Sequence, residues 1–114
     1  MKIEEKKNRI FFDDDLSHGN ITIYETLIKI EMIRVTPEHR GKGLASRLLN
    51  NIIEYIKKNF THSKVILSPM PILTGGKEEQ RLNLEQLIKF YEKHKFKKSK
   101  EKTREEPYLM DLYL

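Results

Sequence analysis

The chain passes from a strand into a helix within the stretch Val35-Thr36-Pro37-Glu38-His39-Arg40-Gly41-Lys42-Gly43-Leu44-Ala45-Ser46. Pro37 cannot donate to a strand ladder and keeps Thr36 out of helical conformations, so it ends the preceding strand. After Gly43, apolar residues recur at helical spacing as far as Asn59, at Leu44, Leu48, Leu49, Ile52, Ile53 and Ile56. The short apolar strand Val65-Ile66-Leu67 follows. This order predicts a right-handed βαβ unit.

The strand before Pro37 contains one slip in its alternation. Ile28, Ile30 and Met32 alternate on one face, whereas Ile33 and Val35 continue out of phase. One inserted residue, a β-bulge, produces such a slip, and a strand buried on both faces would also tolerate it.

The rest of the chain predicts four further strands, a long loop and a second helix. The strands are expected at residues 9–13, 20–26, 96–99 and 107–113, with a turn at 14–19 and the loop at 69–82. Asn83 and Gln86 have capping-box spacing, and they open a helix with Leu84, Leu87, Ile88 and Tyr91 on one face. The order ββ, βαβ, α, ββ predicts an α/β (α+β) fold in one domain, residues 1–114, with a mixed, mainly antiparallel sheet and two main helices.

Composition excludes several classes of function. The chain of 114 residues has no cysteine, so disulfides and thiolate chemistry are excluded. It has no apolar run of about 20 residues and a charged start, so we expect a cytoplasmic protein without a membrane partner. The net charge of +5 favours phosphate-bearing ligands. The mixed charges of residues 92–106 are interpreted as a solvated face, although nucleic-acid binding stays open.

The strand-to-helix stretch has the properties of an anion site. The first N–H groups of a helix have no partner within it and carry a partial positive charge. Gly41, Gly43 and Ala45 let the backbone approach a phosphate closely, and Arg40 and Lys42 add full charges. A glycine-rich turn with surface cations is the alternative. The Walker and dinucleotide patterns both fail here, because Ser46 stands where the latter needs its third glycine.

Two motifs resemble the GNAT superfamily of N-acetyltransferases. Arg40-x-x-Gly43-x-Ala45 matches its Gln/Arg-x-x-Gly-x-Gly/Ala pattern, and the segment Phe90-Tyr91-Glu92-Lys93-His94-Lys95-Phe96 is similar to its Phe-Tyr-Glu-Lys-x-Gly-Phe segment. The resemblance covers roughly residues 20–114 and implies transfer of an acetyl group from acetyl-CoA to an amine, without a metal. It carries the pantetheine arm onto Ile33, Arg34 and Val35, and the pyrophosphate onto Arg40, Gly41, Lys42, Gly43, Leu44, Ala45 and Ser46.

The resemblance also assigns a role to Tyr91, which would donate a hydrogen bond or a proton to the leaving thiolate. Without the motif, Tyr91 would be interpreted as a core residue. Glu31 is the candidate general base, and a ladder partner of Lys29 is the alternative interpretation. The four histidines (His18, His39, His62 and His94) are expected on the surface. Because no nucleophilic serine or cysteine motif is present, direct transfer is expected.

Three departures from the family pattern concern the acceptor side and the second motif. The family's first strand and two helices have no counterpart, so we expect an open acceptor site for a small molecule, a protein or an RNA-bound amine, or one completed in a homodimer. Leu84 stands where the family often has asparagine, and Lys95 replaces a glycine. A non-catalytic coenzyme-binding module and a basic, toxin-like nucleic-acid-associated protein are the alternative functions. The run Asp13-Asp14-Asp15 is interpreted as a hairpin turn, or as an attractor of cationic amines.

Overall fold

The computed structural model describes residues 1–39, 43–69, 84–99 and 109–114. Their strands form one seven-stranded sheet in the order β1-β2-β3-β4-β5-β7-β6. The elements are β1 Lys2–Lys6, β2 Arg9–Asp13, β3 Ser17–Ile23, β4 Ile28–Val35, a 3₁₀ turn Pro37–His39, α1 Leu44–Asn59, β5 Lys64–Leu67, α2 Leu84–Lys93, β6 Lys97–Lys98 and β7 Met110–Tyr113. The pair β4 and β5 is parallel, and the other pairs are antiparallel. The predicted mixed, mainly antiparallel fold is therefore confirmed.

Strand β1 was not predicted from the sequence. It pairs with β2 through a two-residue connection, Lys7 and Asn8, in which Lys7 has a φ of 53°. All five residues of β1 are exposed, so its sequence has no alternation that could reveal it. The expectation that no strand precedes Arg9 is wrong, whereas a two-residue connection leaves no room for helices between these strands.

Strand β3 begins earlier than predicted. Ser17, His18 and Gly19, which were assigned to a turn, pair with the ends of β2 and β4. Gly19 is needed there because α1 crosses closely over it: an added Cβ would lie 3.1 Å from Ile52 Cδ1 and 3.1 Å from the Met32 carbonyl oxygen. The acidic run forms the turn, where Asp13 Oδ1 accepts the backbone N–H of Asp15 at 2.9 Å.

The phase slip in β4 is a β-bulge. Asn20 pairs with Met32 and Ile21 pairs with Ile30, which leaves Glu31 as one extra residue of β4 opposite consecutive residues of β3. The side chains of Ile30 and Ile33 therefore point to the same face although they are three residues apart. This bulge is what the sequence predicted.

Helix α1 packs its apolar stripe against one face of the sheet. Leu48, Leu49, Ile52 and Ile56 are fully buried there. Alternate strand residues complete this core, namely Ile10, Phe12, Ile21, Ile28, Ile30, Val65, Leu67, Met110 and Leu112. Tyr55, beside the stripe, donates a 2.7 Å hydrogen bond to Glu5 Oε1 and so connects α1 to the edge strand β1.

Helix α2 ends in a left-handed cap. The Phe96 N–H donates to the Tyr91 carbonyl at 3.1 Å, and the Lys95 N–H donates to the Glu92 carbonyl at 2.9 Å. These are the two bonds of a Schellman motif, in which glycine is the usual residue at the position of Lys95. Lys95 has a φ of 72°, so the turn forms without glycine.

The backbone of Lys95 allows a direct test of this cap. A left-handed conformation costs a residue with a Cβ roughly 1–2 kcal/mol, which glycine would avoid. The greater conformational freedom of glycine in the unfolded chain offsets part of this stabilisation. Lys95→Gly is expected to raise the free energy of unfolding by about 0.5–1 kcal/mol, measured by urea denaturation. Lys97→Gly, made within strand β6, is the matched control and should stabilise nothing; an equal gain from both variants would contradict the cap.

Candidate functional site

Strands β4 and β5 separate immediately before the bulge. Their parallel ladder contains three pairs and ends at Ile30 with Leu67. Beyond it, Met32, Ile33 and Arg34 pair with β3 on one side and have no strand partner on the other side within the described residues. A strand edge of this kind offers main-chain donors and acceptors to an extended ligand.

The main chain is also accessible at the bulge itself. Glu31 is exposed as a residue, yet its side chain is only 26% exposed, so much of its exposed surface is backbone. Its carboxylate lies 3.9 Å from Lys29 Nζ, with the Lys29 side chain 16% exposed. The structure therefore places Glu31 where β4 and β5 separate. It also pairs Glu31 with Lys29, as the alternative interpretation of Glu31 as an ion-pair partner assumed.

The start of α1 lies at the end of the same connection. Gly43 is the N-cap residue, with a φ of 77° in the left-handed region, and it makes no side-chain cap hydrogen bond among the residues that the structure describes. The first turn contains no acidic residue, and an added Cβ on Gly43 would meet nothing within 4 Å. Gly43 to Ser46 thus leave an accessible helix start with the partial positive charge that suits an anion. Arg40, Gly41 and Lys42, the remaining residues of the predicted cradle, lie outside the described residues.

Tyr91 is the buried residue of α2, with 8% of its surface exposed. Its ring packs edge-on against Phe90 at 5.1 Å and against Phe96 at 5.8 Å between centroids. Burial raises the pKa of the Tyr91 phenol to about 12. The phenol therefore remains protonated at every physiological pH and can act as a hydrogen-bond donor.

A contact that the sequence did not predict joins the two helices. Ser46 Oγ, in the first turn of α1, lies 2.6 Å from His94 Nε2 at the end of α2. His94 also packs edge-on against Phe90 at 5.0 Å. Its pKa is lowered by burial and by the neighbouring charge of Lys93. Forty-eight positions separate the partners, and no local spacing signals such a contact.

The four histidines expected on the surface are each partly exposed, and each imidazole also contacts a partner. His39 Nδ1 lies 2.9 Å from Thr36 Oγ1, and His62 Nε2 lies 2.7 Å from the Tyr24 carbonyl oxygen. His18 Nδ1 lies 3.2 Å from Asp13 Oδ1. Half-burial follows from the short loops and strand ends on which these residues lie.

Other parts of the described structure suggest no competing chemistry. A groove of about 650 Å³ runs along the flank of α1 beside β1 and shares no residue with the predicted coenzyme site; it is lined by Met1, Ile3, Asp14, Arg47, Asn51, Glu54, Tyr55, Lys57 and Lys58. Within the four described ranges, no three His, Asp or Glu side chains are grouped to hold a metal ion. No helix among those residues is long and apolar enough to cross a membrane.

Three solved structures illustrate the likeness of this fold to known proteins. The anti-CRISPR protein AcrVA5 superposes with a TM-score of 0.71 at 18% identity, over 92% of this chain and 98% of that one. The ribosomal-protein-S18-alanine N-acetyltransferase from Escherichia coli gives 0.66 at 14% identity, over 96% and 71%. The PaiA N-acetyltransferase from Thermoplasma acidophilum, in complex with coenzyme A, gives 0.63 at 17% identity, over 93% of this chain and 60% of that one. At such low sequence identities, the superpositions show a shared fold and nothing more.

The sequence itself carries the family assignment. No curated protein matches the chain. The profile of the acetyltransferase (GNAT) domain, in contrast, matches residues 6–98, which include the bulged strand, the glycine-led start of α1 and the whole of α2. The chain therefore belongs to the GNAT acetyltransferase family.

Proposed function

We propose that this protein is an acetyl-CoA-dependent N-acetyltransferase that transfers the acetyl group directly to an amine. One observation carries the proposal: the edge of β4 at Met32, Ile33 and Arg34, which has no second strand partner within the described residues, leads to a helix start with glycine as its N-cap. An extended chain with amide groups fits the first feature, and a diphosphate fits the second. Pantetheine and the pyrophosphate of coenzyme A are joined in that order.

The coenzyme contacts follow from these two features. Backbone groups of Ile33, Arg34 and Val35 would bind the pantetheine amides. The amides from Gly43 to Ser46 would bind the pyrophosphate, and Arg40, Gly41 and Lys42 are proposed to complete this cradle. The coenzyme A bound to the Thermoplasma acetyltransferase supports a ligand of this class in the shared fold.

The reaction needs an oxyanion to be stabilised and a thiolate to be released. The amine attacks the thioester carbon, a tetrahedral oxyanion forms, and its collapse expels coenzyme A as a thiolate. Main-chain N–H groups at the exposed bulge would stabilise the oxyanion. Because a thiol ionises near pH 8.5, moving a proton to it from a phenol with a pKa of about 12 would cost roughly 5 kcal/mol. Tyr91 therefore acts as a hydrogen-bond donor to the thiolate rather than as its proton source.

The acceptor side has no helices between its first two strands. The two-residue connection between β1 and β2 places no helix beside the strand edges that would receive the amine. We infer an acceptor amine on a small molecule or a protein, reached from open solvent or through a site completed by a second subunit.

A titration followed by NMR tests the coenzyme site directly. Adding acetyl-CoA to the ¹⁵N-labelled protein should shift the amide signals of Gly43, Leu44, Ala45 and Ser46 and those of Ile33 and Arg34. The signals of β1 serve as the internal control and should remain in place. Unmoved signals at the helix start, with acetyl-CoA at millimolar concentration, would contradict the proposal.

Removal of the Tyr91 hydroxyl tests the role of this residue. A hydrogen bond to a charged group is worth about 1.5–3 kcal/mol, so Tyr91→Phe should lower kcat roughly 10- to 100-fold. The Kd for acetyl-CoA should change less than twofold, because the hydroxyl acts on the leaving thiolate. Thiol release across an amine panel measures the rate. An unchanged kcat would return Tyr91 to a purely structural role, and acetyl-CoA binding without thiol release from any amine would indicate a non-catalytic module.

A pair of substitutions distinguishes the two roles of Glu31. If its carboxylate accepts the proton of the attacking amine, Glu31→Gln should lower kcat at pH 7 by about 100-fold or more, with coenzyme binding unchanged. Lys29→Met removes the other half of the ion pair and is the matched control, expected to change kcat less than fivefold. Similar small effects from both variants would assign Glu31 to the ion pair alone.

A further inference from the structure

The Ser46–His94 contact connects the two parts of the site that the proposed reaction uses. Ser46 lies in the first turn of α1, where the pyrophosphate is proposed to bind, and His94 directly follows the helix that carries Tyr91. The 2.6 Å separation of Ser46 Oγ and His94 Nε2 is a short hydrogen bond between side chains 48 positions apart. The backbone N–H of His94 donates to the Tyr91 carbonyl at 3.0 Å, which ties the main chain of His94 to that of Tyr91.

We propose that His94 is a positioning residue for the coenzyme diphosphate: it orients the Ser46 hydroxyl toward the anion and couples coenzyme binding to its own protonation. The inference rests on the proposed function, because it concerns the same coenzyme site. It adds a titrating side chain to a site that otherwise consists of backbone amides and permanent cations.

The hydroxyl of Ser46 has a single proton, and this decides the direction of the hydrogen bond. In the free protein, Ser46 can donate to Nε2, or Nε2–H can donate to Ser46 Oγ, and both arrangements give the same heavy-atom distance. Once a phosphate oxygen accepts the Ser46 proton, Nε2 must be the donor. Anion binding therefore selects either the neutral Nε2–H tautomer or the imidazolium.

The imidazolium is the form that a nearby diphosphate favours. In the free protein, burial and the charge of Lys93 lower the pKa of His94, which favours its neutral imidazole. Two negative charges one hydroxyl away raise this pKa in the complex. Binding is then linked to proton uptake between the free and the bound pKa values. The gain in affinity is present below this window and is lost as the pH rises through it.

The charged neighbours of His94 do not remove this effect. The charged residues next to His94 in the sequence are Glu92, Lys93 and Lys95, and Arg47 follows Ser46 on α1. Another half-buried imidazole is that of His39, which is bonded to Thr36 within its own turn. The substitution of His39 therefore gives a matched control for the substitution of His94.

The test uses 3′-dephospho-coenzyme A as the probe. Coenzyme A has a 3′-phosphate that itself titrates near pH 6, whereas the dephospho form retains only the diphosphate. Isothermal titration from pH 5.5 to 8.0 should show the wild-type affinity rising about tenfold toward low pH. His94→Gln keeps a side-chain N–H for Ser46 but cannot titrate in this range. It should bind within twofold of wild type at pH 8.0 and show less than a twofold change across the range.

Two further variants identify the source of the effect. Ser46→Ala should weaken binding at pH 8.0 about fivefold, because one hydrogen bond to the anion is lost. His39→Gln should retain the wild-type pH dependence. The inference is overturned if His94→Gln retains the full pH dependence, if His39→Gln abolishes it, or if Ser46→Ala binds as the wild type does. Absence of binding by the wild type at every pH would instead contradict the proposed function itself.

Discussion

The extra residue Glu31 in β4 is the constraint on which the rest of the site depends. It follows Ile30, the last residue of β4 that pairs with β5. The bulge and the separation of β4 from β5 therefore occur at the same point of the sheet. Before it, β4 is an interior strand paired on both sides. After it, the alternation of side chains between the two faces is shifted by one residue, and one edge of the backbone has no strand partner within the described part of the chain. The same strand leads into the turn Pro37–His39, so the strand edge and the start of α1 are close in the sequence.

The end of α2 has a corresponding organising role on the other helix. The Tyr91 carbonyl accepts the N–H groups of both His94 and Phe96, so one carbonyl holds the main chain of the whole cap. The ring of the same residue packs edge-on against the Phe90 and Phe96 rings. Lys95 tolerates an unfavourable backbone conformation so that this arrangement can close. The local strain and the proposed chemistry are separated by only four residues.

Much of the fold could be predicted because its signals are periodic. The apolar stripe of α1 and the phase slip of β4 follow from spacings within one element, and the structure confirms both. β1 could not be predicted, since every one of its side chains is exposed and burial imposes no pattern on it. The start of β3 was assigned to a turn because glycine is common in turns. The structure shows another reason for glycine at position 19: α1 crosses too closely for a larger side chain.

The site could be predicted only where its residues are adjacent in the sequence. The glycine-led helix start and Tyr91 belong to local motifs, so a pattern can reveal them. The hydrogen bond between Ser46 and His94 requires two helices to meet, and neither side chain stands out within its own segment. A histidine at the end of a charged helix looks solvated in sequence, and only tertiary packing shows that it is half-buried.

The short ladder between β4 and β5 has a mechanical consequence. Strands β1 to β4 form a meander of consecutive hairpins, which folds through local contacts, whereas β5 and β7 must be joined to it across long stretches of chain. Three backbone pairs form the seam between these two parts of the sheet. A ligand lying along the open edge of β4 would lengthen this seam, and its binding energy would add to the cohesion of the whole sheet. The edge at which the coenzyme is proposed to bind thus adjoins a seam of only three backbone pairs, and a bound coenzyme would extend that seam.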